Sequence, residues 1–271
     1  MHIGVFDSGL GGLAILKAIK KRLPQYSYIY LGDNARAPYG DRSQDTIYEY
    51  TRQGVEFLFR NNCKLVILAC NTASARALRR LQQEWLPAHY PDRHVLGVII
   101  PLVESLTKLK KDACVAIIGT RATIGSNVYA IECLKRGASH ISLTQKACPL
   151  LVPLIEEGWH TTIPARMILK CYLRPLKLKK IQTLILGCTH YTFLQKMISS
   201  IMGAQVRILD SGAIVAQSLK HYLERHGEIE ATLSKDASIA FYTTDPSPRA
   251  KELAARFWGS SIDALIAQID S

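Results

Sequence analysis

No stretch of this 271-residue sequence stays apolar for the ~18 residues that a membrane-spanning helix needs. The longest apolar runs are short, such as Leu65-Val66-Ile67-Leu68-Ala69-Cys70. The seven cysteines include no C-x-x-C pair, which argues against a thiol-rich zinc site or a disulfide framework. They read as free thiols of a reducing compartment. The start, Met1-His2-Ile3-Gly4-Val5-Phe6-Asp7, lacks the basic and apolar regions of a secretory signal and reads as the first strand of a cytoplasmic protein. Also missing are a P-loop, a G-x-S-x-G elbow and an H-E-x-x-H pair, so no metal site is expected. Acidic residues are scarce: 22 Asp and Glu against 34 Lys and Arg leave a net charge of +12. The basic clusters, including Lys108-Leu109-Lys110-Lys111 and Lys177-Leu178-Lys179-Lys180, come without interleaved aromatics or a nucleic-acid fold signature. Several fall late in expected helices, where cations complement the macrodipole. They are read as solvated surface, with neither nucleic acid nor membrane as the expected partner.

What is present is an ordinary globular balance, 48% hydrophobic and 21% charged, and a length that fits one large domain or two modest ones. Short β-rich runs alternate with amphipathic helical patterns. The pattern predicts strands over His2–Phe6, Tyr26–Leu31, Leu65–Ala69, Val95–Ile100, Cys114–Ile118, His140–Thr144, Thr183–Leu186, Gln205–Leu209 and Ser238–Tyr242. Helices are predicted over Gly12–Leu23 and Thr72–Trp85, the latter ending in a proline-flanked connector from Leu86 to Arg93. Alternation of this kind implies an α/β fold with mostly parallel sheets. The chain also repeats itself. Leu65–Thr72 resembles Thr183–His190, each a buried strand, a small residue, a cysteine and polar capping residues before a helix. Ile3–Gly9 has its counterpart in Ala116–Ala122. Two pairs in one order at nearly one offset point to two similar, pseudo-symmetric α/β units facing each other.

Cys70 and Cys188 fall where a strand ends and a helix begins, the end of an open α/β sheet at which ligands bind. There a thiol is biased toward thiolate, the reactive form. Two such groups in matching positions of facing units would flank one carbon. That arrangement suits removal of a proton from one face and delivery to the other, as in racemisation or epimerisation. A competing pattern is Gly9-Leu10-Gly11-Gly12-Leu13-Ala14, a G-x-G-x-x-A loop followed by Asp33 where a ribose-binding acid would sit. It admits a nicotinamide-dependent dehydrogenase, although Asp7-Ser8 intervenes and an anionic Asp7 would repel a pyrophosphate. A non-catalytic protein binding an acidic ligand or nucleic acid is the third alternative.

Taken together, several segments resemble the glutamate racemases of the aspartate/glutamate racemase superfamily. They are Asp7–Gly12, Gly32–Gly40, Ala69–Ala73, Ala147–Pro149 with Val152–Gly158, Gly187–Tyr191 and Asp210–Ala213. The resemblance implies cofactor-independent interconversion of L- and D-glutamate, supplying D-glutamate for peptidoglycan and hence for cell shape, by a cytoplasmic enzyme that forms a homodimer. It implies two α/β domains with the active site in the cleft between them, residues 1–94 plus 210–271 forming the first and 95–209 the second. By position, Cys70 would act on D-glutamate and Cys188 on L-glutamate. Asp7 would assist Cys70, and His190 and Glu156 would assist Cys188. Asp7, Ser8, Tyr39, Gly40, Asn71, Thr72, Thr189 and His190 would hold the substrate, with Thr123 a further candidate. Cys148, though at a family position, is read as structural. The chain starts at its first strand, so activation by a peptidoglycan precursor through an N-terminal extension is not expected.

Overall fold

The computed structural model describes residues 1–209 and 211–269. Asp210, which opens the Asp210–Ala213 segment, lies outside the described residues. The chain forms two compact units, Met1–Val98 with Gly212–Ser271, and Ile99–Ser211.

The first unit is built on a six-stranded parallel sheet ordered β10-β9-β2-β1-β3-β4. Its strands are β1 (His2–Asp7), β2 (Tyr28–Gly32), β3 (Cys63–Leu68), β4 (His94–Gly97), β9 (Ile239–Thr243) and β10 (Ala264–Ile266). Central β1, β2 and β3 are almost wholly buried because helices cover both faces of the sheet, which is why they read as continuous apolar runs. Burying one Leu or Ile side chain there contributes about 1.5–3 kcal/mol.

The second unit has four parallel strands ordered β6-β5-β7-β8: β5 (Cys114–Gly119), β6 (Ser142–Ala147), β7 (Thr183–Gly187) and β8 (Arg207–Leu209). Substituting β1 for β5, β2 for β6, β3 for β7 and β4 for β8 turns this order into the β2-β1-β3-β4 core of the first sheet. The repeat seen in the sequence is thus a repeat of topology, with Cys70 after β3 and Cys188 after β7.

Some boundaries differ from expectation. The division falls after Val98 and after Ser211, not after 94 and 209. The reason is β4, which hydrogen-bonds to β3 from His94 onward and so belongs to the first sheet. The expected strand over Val95–Ile100 ends at Gly97, and Ile99–Leu106 is a helix with Pro101 in its first turn, where a missing N–H costs nothing. The second edge strand begins at Ser142 rather than His140, its mixed sequence SLTQKA offering no apolar run to mark it. β10 is three residues long with two exposed, too short for a period-2 signal. The helical path after Cys70 also runs farther than Trp85. Leu81–Trp85 winds as a π turn and Leu86–His89 continues as α-helix with Pro87 in its first turn. The wider turn accommodates a proline that would otherwise break the helix.

Candidate active site

In the first unit the C-terminal ends of β2, β1 and β3 lie side by side. Asp33 N–H donates to the Asp7 carbonyl, and Ala69 N–H donates to the Phe6 carbonyl. Asp7-Ser8 and Cys70 are therefore neighbours on adjacent strands, although 62 residues separate Ser8 from Cys70 in sequence. Ser8 Oγ and Cys70 Sγ are 3.2 Å apart. Cys70 is itself the N-cap of the Asn71–Arg76 helix, its sulfur accepting from Ala73 N–H at 3.4 Å. This corrects the expectation that Asn71 and Thr72 cap that helix: they are its first two residues, both buried. The first N–H groups of a helix have no intrahelical partner and favour negative charge nearby.

Asp7 is buried, and its Oδ2 accepts the Gly9 N–H at 3.1 Å. It does not cap the first helix, Leu13–Arg22, whose N-cap is Gly12 without a side-chain bond. Gly12 is required by this carboxylate. A Cβ there would come within 2.6 Å of Asp7 Cβ and 3.0 Å of Ala69 Cβ. Tyr30, whose hydroxyl donates to the Gly9 carbonyl at 3.0 Å, pins the same loop. Burial, followed by the charges of Asp7 and Cys70, holds Tyr30 well above the ordinary phenol range.

Tyr39 is also buried, and its hydroxyl donates to Asp33. Arg36 Nε donates to the same carboxylate at 2.7 Å and Thr244 Oγ1 at 3.0 Å. With its hydroxyl committed to Asp33, Tyr39 can offer substrate its backbone, at the start of the short Tyr39–Asp41 helical turn that includes Gly40. Burial, then Asp33, keeps its phenol well above the ordinary range. Asp33 is thus a positioning residue for this turn and is not free to take a ribose.

In the second unit Cys188 follows β7, and a Cβ on Gly187 just before it would meet the Ile118 carbonyl at 2.9 Å. Unlike Cys70, Cys188 makes no side-chain cap, and a six-residue 3₁₀ stretch, Thr189–Leu194, precedes the Gln195–Met202 helix. That tighter winding carries His190 to the sulfur side. His190 is hydrogen-bonded to Cys188, and its Nε2 lies 3.1 Å from Glu156 Oε1 at the end of the Leu151–Glu156 helix. Burial alone would lower the His190 pKa, but the hydrogen bonds to Cys188 and Glu156 outweigh it and push the imidazole up to about 10. Thr189 is buried beside them. Thr120 caps the helix after β5 and donates to Thr123 Oγ1 at 3.0 Å, the counterpart in this unit of the Asp7-Ser8 loop.

Sequence reasoning missed the support that holds these groups. Arg36 and Thr244 fix Asp33, and Tyr191 donates to the Cys148 carbonyl at 2.9 Å, tying the His190 segment to the end of β6. Thr244 is 211 residues from Asp33, and no local pattern could have paired them. Among the described residues, no group of three or more His, Cys, Asp or Glu is placed to hold a metal ion. No helix among them is long and apolar enough to cross a membrane.

The remaining thiols are a contrast. Burial pushes Cys63 and Cys148 up to about 12 and Cys133 to about 11, so they stay protonated and unreactive. Cys171 is exposed. Brief alkylation of the native protein at neutral pH, mapped by peptide mass spectrometry, is expected to label Cys171 and to leave Cys63, Cys133 and Cys148 unmodified.

Residues 12–219 match the Asp/Glu/Hydantoin racemase family model. A glutamate racemase of Chlorobaculum parvum is 40% identical over 260 residues, covering 96% of this chain and 93% of the relative. The chain belongs to this racemase family. Among solved racemases, the Francisella tularensis glutamate racemase in complex with D-glutamate superposes with a TM-score of 0.88 at 34% identity, covering 99% of this chain and 98% of that one. The Escherichia coli glutamate racemase, in complex with L-glutamate and the activator UDP-MurNAc-ala, gives 0.75 at 27% identity, covering 98% and 97%. Within a racemase, the G-x-G-x-x-A loop is accounted for by the packing of Gly12 on Asp7, and the dehydrogenase alternative loses its ribose acid to Tyr39, Arg36 and Thr244.

Proposed function

We propose that this chain interconverts L- and D-glutamate without a cofactor, with Cys70 and Cys188 as the two acid/base groups. The carrying observation is that each sulfur ends the equivalent strand of the same four-strand topology and has its own polar partners. These are Ser8 for Cys70, on the loop that Asp7 holds through Gly9, and for Cys188 His190, itself paired with Glu156. Relatives solved with D-glutamate and with L-glutamate support this substrate. One thiolate takes the α-proton, and the other thiol delivers a proton to the opposite face of Cα. The α-proton is far less acidic than a thiol, so negative charge developing on the substrate must be stabilised. Backbone N–H groups at the starts of the Asn71 helix and the Tyr39-Gly40 turn, with the hydroxyls of Ser8, Thr72 and Thr189, are suited to that. Asn71 and Asp7 complete the contacts to the amino acid, Asp7 matching the ammonium group. The product D-glutamate enters peptidoglycan synthesis and so supports cell shape, and the enzyme works in the cytoplasm as a homodimer.

The test is deuterium incorporation at Cα in D2O with no added cofactor. L- or D-glutamate should each yield the labelled opposite enantiomer. Exchange on aspartate alone would change the substrate and keep the chemistry, whereas no exchange on either by folded protein would overturn the racemase reading.

A further inference from the structure

The net charge of +12 is not spread evenly. Residues 158–209 contain eight Lys and Arg and no Asp or Glu. Half of those cations lie on one helix, Ile163–Leu178. This helix buries Ala165, Leu169, Leu173 and Leu176 against the core of the second unit. Its outward side carries a row of cations spaced four, four and three residues apart: Arg166, Lys170, Arg174 and Lys177. Beside that row runs a second apolar stripe at the same spacing, Ile163, Met167, Cys171, Pro175 and Leu178, all facing solvent. Ile163 is 76% exposed, Met167 62% and Leu178 75%. Trp159, one turn before the helix, is 53% exposed. A globular helix ordinarily has one apolar stripe; this one has two, and the outer stripe is unpartnered.

The cations also edge a groove of about 730 Å³ between this helix and the Gln195–Met202 helix. Arg166 donates to Ser200 Oγ at 3.3 Å and Lys177 Nζ to the Ile201 carbonyl at 3.0 Å, which holds both side chains along the groove walls. Neutral oxygens hold them, and among the described residues no carboxylate pairs with any of the four cations.

We propose that this face is a docking surface for an anionic phospholipid bilayer, the four cations binding headgroup phosphates and the outer apolar stripe entering the interface. An apolar stripe beside a cationic row is the pattern of a helix that lies in the plane of a membrane surface, immersed ~5–10 Å. Duplex nucleic acid would use the cations and leave Ile163, Met167 and Leu178 against water or phosphate. A second copy presenting the same face would oppose four cations to four. The lack of a long apolar run bears on membrane-spanning helices and not on surface attachment. None of these side chains belongs to the candidate active site.

The test is flotation of the full-length protein with vesicles of phosphatidylcholine alone and of equal parts phosphatidylglycerol and phosphatidylcholine. Binding should require the anionic lipid and weaken as salt shortens the screening length. Each cation near such a surface is worth about fivefold in partitioning, so R166Q with R174Q should lose about 25-fold. Ile163→Ser with Met167→Ser should weaken vesicle binding as well, while leaving retention on heparin unchanged. Racemase turnover and far-UV circular dichroism serve as folding controls for both pairs. Equal binding to both vesicles, binding that survives both double substitutions, or binding to duplex DNA with none to vesicles would each overturn the proposal.

Discussion

Replacing either Cys70 or Cys188 with alanine is expected to lower racemisation by about 10³-fold, since each variant loses one of two proton-transfer groups. The informative result lies in what each variant keeps. The enantiomers have equal free energy, so the equilibrium constant is one and kcat/KM for the two directions must fall together in any variant. Steady-state rates therefore cannot assign a sulfur to an enantiomer. Proton exchange can. A variant that retains one thiol can still remove an α-proton from the face that thiol serves and return a deuteron to the same face. Cys188→Ala should exchange the α-proton of D-glutamate with retention and leave L-glutamate unlabelled, and Cys70→Ala should do the reverse. Exchange of both enantiomers by either variant would show one group reaching both faces and would end the two-base reading. Ser8→Ala is a useful companion, because Ser8 Oγ lies 3.2 Å from Cys70 Sγ and the change leaves the second unit untouched. It should slow exchange from D-glutamate more than exchange from L-glutamate.

The two candidate sulfurs were legible because the sequence signals them twice. A buried run followed by a cysteine and capping residues occurs at Leu65–Thr72 and Thr183–His190, and both runs are central strands. The local detail was less legible because polar side chains can exchange tasks at a strand–helix junction. Asn71 and Thr72 look like caps, yet Cys70 takes the Ala73 N–H. After Cys188 the chain first winds as 3₁₀, which no helical periodicity announces. Asp33 shows the opposite difficulty. Its spacing from the glycine loop suits a ribose, and only the fold reveals that Arg36, Tyr39 and Thr244 consume the carboxylate. The weak edge strands were misread for a third reason. β6 is polar and β10 is short, so pairing to a neighbour, and not composition, makes them strands. The outer face of Ile163–Leu178 was hidden as well. Leu and Ile at helical spacing look like one core face until burial separates Leu169 and Leu173 from Ile163 and Leu178.

The pH dependence should separate the two halves of the chemistry. His190 is held as imidazolium to about pH 10, because its hydrogen bonds to Cys188 and Glu156 exceed the effect of burial. Turnover is expected to be supported across neutral pH, while His190 keeps its charge, and to decline as pH rises through about 10. Removing the cation in His190→Ala should cost about 10²-fold at pH 8. Glu156→Gln is the sharper test, because the amide can retain a contact to Nε2 while losing the charge that raises the imidazole. The alkaline limb should then move to lower pH, with little change in turnover on the acid side of it. The shift of the limb between wild type and variant is the quantity to read. The same raised value has a consequence for folding. Its stabilising contribution is full below the unfolded imidazole value near 6.5 and is lost as pH rises through about 10. Denaturant midpoints measured from pH 6 to 10.5 should therefore fall more steeply for wild type than for Glu156→Gln. An alkaline limb that stays in place in Glu156→Gln, or midpoint curves that run parallel, would mean that the 3.1 Å pair orders the loop without raising the His190 imidazole.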